Sequence, residues 1–186
     1  MKNFLKISAI VVAFNLSASL VSAQTTPNVQ KALENVKERV SDLVTAKDEN
    51  NPNELALRIE TLKKVFELST TETKDLKVKF LTVDFDKNDK ALIAWRDKMN
   101  ETLTDVGKYY EEQIQNLDDI EKTITPEDIK KIAQDLKDWQ ETNYLLTANE
   151  INDFLLIQQE AEAIQIAKKR ASKIKDDIAK IQKTNI

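Results

Sequence analysis

The sequence predicts an all-α protein, an elongated up-and-down helical bundle with coiled-coil-like seams and about five helices after a signal peptide. Three observations carry that expectation. Apolar residues recur at spacings of three and four through most of the chain beyond residue 28, the period of a helix with one buried stripe. The chain has one glycine and three prolines, and each proline follows a residue able to cap a helix: Thr26-Pro27, Asn51-Pro52 and Thr125-Pro126. Charged residues make up 32% and aromatics 6%, the balance of exposed amphipathic helices rather than of a thick aromatic core.

Residues 1–23 read as a secretory leader, with Lys2 and Lys6 ahead of an apolar run and Val21-Ser22-Ala23 as a small-residue exit before Gln24. Asn15, Ser17 and Ser19 interrupt a stretch already shorter than the ~20 apolar residues of a membrane span. The expected product is exported, periplasmic or secreted, with residues 24–186 forming a single helical domain. No cysteine is present, so neither a lipid-modified N-terminus nor a disulfide framework can form. The net charge is −4, and losing the two leader lysines makes the remainder more acidic, which argues against nucleic-acid binding.

Val29, Leu33, Val36, Val40 and Leu43 place helix one over about 28–47, before the loop Lys47-Asp48-Glu49-Asn50-Asn51. Helix two, about 53–83, carries Leu55, Ile59, Leu62, Phe66, Ser69, Thr73, Leu76, Phe80 and Val83 in one phase, with Glu54 placed to turn back on the cap. Ser69 and Thr73 put polar groups on two successive seam positions, and Ser69 with Glu72 has capping-box form, so a kink is expected there. The cluster Asp84-Phe85-Asp86-Lys87-Asn88-Asp89 marks the next reversal. Helix three, about 90–122, presents Leu92, Trp95, Met99, Leu103, Val106, Tyr110, Ile114 and Leu117 on one face, and Ile124 continues that phase. Gly107 in its middle suggests close helix approach.

Helix four, about 126–146, starts at a Thr125–Asp128 capping pair and buries Ile129, Ile132, Leu136, Trp139 and Leu146. A seven-residue grid continues from Ile129 through Ile157, Ile164, Ala171 and Ile178. It turns polar at Asn143, Glu150, Asp153 and Glu160, and Thr147 with Glu150 again resembles a cap, so a turn is expected there with helix five over about 148–184. At that length helix five reaches about 55 Å and outruns helix four.

The absence of histidine and cysteine removes the usual zinc, haem and di-iron ligand sets, as well as Ser-His-Asp and Cys-His catalysis. Asp84, Asp86 and Asn88 imitate the start of a calcium loop, but Asp89 and Trp95 stand where glycine and a bidentate glutamate belong. No catalytic, cofactor or metal site is therefore assigned, and an enzyme is not expected. Glu111, Glu112, Asp118, Asp119 and Glu121 form an acidic end on helix three, for which the basic end of helix five is the economical intramolecular complement.

The candidate partner surface comprises Tyr109, Ile151, Phe154, Leu155, Lys168, Lys169, Arg170 and Lys173. One ring of Tyr109-Tyr110 must face outward, and Ile151, Phe154, Leu155 and Ile157 exceed what one helix face buries, by either a partner surface or a crowded internal helix. The basic run Lys168-Lys169-Arg170 with Lys173 either complements the C-terminal helix dipole or contacts an anionic envelope surface. The first functional expectation is an exported, non-catalytic helical protein acting by protein–protein interaction or self-assembly. The second is an envelope holdase-type chaperone or carrier of apolar ligands, although only one methionine lies outside the leader to supply an adaptable surface.

Overall fold

The computed structural model describes residues 26–48 and 52–184. They form five helices and no strand: α1 (Pro27–Asp48), α2 (Glu54–Leu81), α3 (Lys90–Ile120), α4 (Pro126–Asn143) and α5 (Leu145–Thr184). The protein is an all-α helical bundle. The leader expected at 1–23 and most of the loop after α1 lie outside the described residues. Two compact units are distinguished, one ending at Asn149 and one beginning at Glu150, so the division falls inside α5.

The helix starts follow local chemistry. At α4 the Thr125 hydroxyl accepts from the Asp128 amide at 3.2 Å while the Asp128 carboxylate accepts from the Thr125 amide at 3.0 Å, the reciprocal box the sequence predicts. The Thr125 hydroxyl also donates to the Asp128 carboxylate at 2.7 Å; this bond first, and the one from the Thr125 amide second, hold the Asp128 carboxyl below its ordinary value. At α3, Asp89 accepts from the Leu92 amide at 3.0 Å. The Thr26 hydroxyl makes no such cap, and α2 starts two residues past Pro52, with Asn53 ahead of it and no side-chain cap. The Glu54 carboxylate pairs instead with Arg58 one turn on.

α2 is the central element. Its seam residues Ile59, Leu62, Phe66, Leu76 and Phe80 are buried, and so are Thr61, Val65, Leu68 and Thr70 on its other sides. Each fully buried large side chain contributes about 1.5–3 kcal/mol. α1 covers one side with Val29, Val36, Leu43 and Ala46, and the Thr61 hydroxyl reaches the Arg39 carbonyl at 3.4 Å. α3 runs antiparallel on another side: Lys63 meets Asp118 and Glu121, Lys74 meets Glu111, and Lys77 meets Thr104. Glu111, Asp118 and Glu121 of the acidic end of α3 thus pair with lysines of α2.

At Ser69–Thr73, where a kink is expected, α2 continues without a break in the helix. Thr70, Thr71 and Thr73 donate their hydroxyls to the carbonyls of Phe66, Glu67 and Ser69 at 2.8–2.9 Å, so the polar groups are satisfied along an unbroken helix. At the α2–α3 reversal, Phe85 is buried edge-on against Phe80, which Trp95 also meets edge-on. Asp86 accepts from the Asn88 backbone and side-chain nitrogens, so this calcium-like aspartate serves the turn, while Asp89 caps α3.

Two more expectations are corrected. A Cβ placed on Gly107 meets nothing within 4 Å, so close helix approach does not explain that glycine. The break between α4 and α5 falls at Tyr144, three residues before Thr147, and it is one residue long. The Tyr144 amide donates to the Gln140 carbonyl at 3.0 Å and its carbonyl accepts from the Ala148 amide at 2.9 Å, so helical bonding enters and leaves it. The buried Tyr144 ring anchors the interruption, and Leu146, expected inside α4, is 69% exposed on α5.

Candidate functional site

Two arrangements stand out, one buried and one exposed. The buried one lies where α4 meets α2 and α3. The Gln140 side-chain amide donates to the Tyr110 hydroxyl at 3.1 Å and to the Ser69 hydroxyl at 3.3 Å, joining three helices through one withdrawn side chain. Tyr109 stacks flat on Trp139, with ring centroids 3.7 Å apart, while Tyr110 meets Trp139 and Tyr144 edge-on. The Tyr144 hydroxyl lies beside the hydroxyl of Thr73.

Glu72 belongs to this cluster. Burial deprives its carboxyl of water, its Oε1 finds no hydrogen-bond partner, and the Asp75 carboxylate adds repulsion; the group is pushed up to about 8. At neutral pH it keeps its proton. Burial also raises Tyr110, against the opposing hydrogen bond from Gln140 and with the neighbouring Tyr144, Glu72 and Tyr109 adding to the rise. Tyr144 rises through burial and the proximity of Glu72. The cluster can retain a proton and fix the register of three helices. Sequence reading noted Glu72 only as a capping partner; the available signal was a polar interval at Ser69, Glu72 and Thr73 within a greasy seam.

The exposed arrangement lies on α5. Every described side chain from 159 to 178 is exposed. Within and just before that stretch, Leu156, Ile157, Ile164, Ile166, Ile174 and Ile178 are each more than half exposed. Lys168, Lys169, Arg170 and Lys173 of the predicted partner surface are exposed beside them.

Other members of that predicted surface fall elsewhere. Ile151 is fully buried and Tyr109 is held against Trp139, so both belong to packing and not to a free face. Phe154 and Leu155 are half-buried. The surplus apolar residues are therefore divided, with covered positions up to Leu155 and uncovered ones beyond. No helix among the described residues is long and apolar enough to cross a membrane. No protein-family model, curated protein or solved structure matches this chain.

Proposed function

We propose that this is an exported, non-catalytic helical protein that acts by protein–protein contact through residues 156–178 of α5. The observation that carries the reading is the aliphatic stripe just described, left in water on a helix that needs none of it for the core around α2. Export rests on the leader-like residues 1–23. The non-catalytic part rests on a chain without histidine or cysteine in which the one strongly shifted carboxyl among the described residues is largely withdrawn from water.

The test is cross-linking in the producing cell's own envelope, comparing the wild type with a variant carrying Ile164→Glu and Ile174→Glu. The expected result is a discrete protein adduct that the variant loses while its helical content is unchanged. Identical adducts from both proteins, or a turnover abolished by one substitution, would overturn the reading.

A further inference from the structure

We propose that the α5 stripe seats an amphipathic helix of a different protein, one whose residues beside its own apolar seam are acidic. This rests on the reading that α5 works by protein contact and names the chemistry of the partner.

Ile157, Ile164, Ala171 and Ile178 recur at every seventh residue; Ala167 and Ile174 fall between the last three at spacings of three and four, while Glu160 takes that place after Ile157. A helix with this period presents Ile164, Ala167, Ala171, Ile174 and Ile178 as one narrow seam about 22 Å long, two heptads of knobs and holes. The small side chains at 167 and 171 leave room for large ones from a partner. The flanks decide which partner. Lys168 and Lys175 line one side of the seam and Arg170 the other, all exposed, with Asp177 the single acid in a flanking position.

A second copy fits this charge pattern poorly. Parallel pairing would set Arg170 against Lys175 of the copy, twice, with no attractive pair to offset it. Antiparallel pairing of Ala171 with Ile174 would set Lys168 against Lys175 twice, cancelling the two Arg170–Asp177 pairs it creates. Glutamates at the flanking positions of a foreign helix would meet all three cations with the correct sign. A bilayer surface is the poorer fit, because charge bounds the seam on both sides and no aromatic residue lies between 157 and 178.

The purified protein is titrated with two labelled helical peptides that share an Ile/Leu seam, one with glutamate and one with lysine at every flanking position, and separately with phosphatidylglycerol-rich vesicles. The glutamate peptide is expected to bind at least about tenfold more tightly than the lysine peptide, with affinity falling as salt rises. A Lys168→Glu, Arg170→Glu, Lys175→Glu variant is expected to reverse that preference; these side chains are exposed, and circular dichroism checks its fold.

Equal binding of both peptides would overturn the charge assignment and leave α5 a helix-docking surface. Self-association by light scattering, lost in Ile174→Glu, would likewise overturn it in favour of a second copy. Vesicle binding without peptide binding would overturn both this inference and the reading beneath it.

Discussion

Glu72 makes the stability of this protein depend on pH above the ordinary carboxylate range. The chain has no histidine or cysteine, so no side chain with an ordinary pKa titrates between about pH 5 and 8. Raising the Glu72 carboxyl from 4.5 to about 8 means that the folded state binds a proton the unfolded chain has released. Its contribution is fully present below pH 4.5, where both states are protonated, and is lost as pH rises through the folded value. The slope is about 1.4 kcal/mol per pH unit, which amounts to about 4 kcal/mol between pH 5 and 9. Tyr110 from α3 and Tyr144 beside α4 face the same group, but burial raises both, so they add to the loss only above about pH 10.

The assay is urea unfolding followed by far-ultraviolet circular dichroism at successive pH values, for the wild type and Glu72→Gln. The amide has the shape of the protonated acid and cannot ionise, so the variant is expected to hold a flat profile and to exceed the wild type by about 4 kcal/mol at pH 8. A wild type that keeps its stability from pH 5 to 9, or a Glu72→Gln variant with the same slope, would refute the burial argument.

Other substitutions test the packing. Gly107→Ala is expected to raise unfolding stability by about 0.5–1 kcal/mol, since the added methyl meets nothing within 4 Å and the helix loses a flexible residue. Leu62→Ala, at a fully buried position of α2, is expected to cost about 2–5 kcal/mol in the same measurement. Thr125→Ala removes the hydroxyl half of the α4 capping box and is expected to cost about 1 kcal/mol. Ile174→Glu, at a position 60% exposed, is expected to leave stability within about 0.5 kcal/mol, which separates its role in contact from any role in the fold.

The helices were legible in the sequence because helix signals are local. Thr125, Pro126 and Asp128 specify a start within four residues, and the three-four spacing of Ile59, Leu62, Phe66, Leu76 and Phe80 specifies a buried face without reference to any neighbour. Side-chain pairing across the bundle was not legible. Glu72, Gln140 and Tyr110 are far apart in the chain, and a carboxyl loses water only when three helices close around it. The covering of apolar residues follows the same rule: Ile151 and Ile157 have identical side chains six residues apart, yet one is buried and the other open to solvent. Periodicity tells which residues share a helix face. What that face meets depends on residues distant in sequence, and so does whether a greasy side chain serves the core or remains available to a partner.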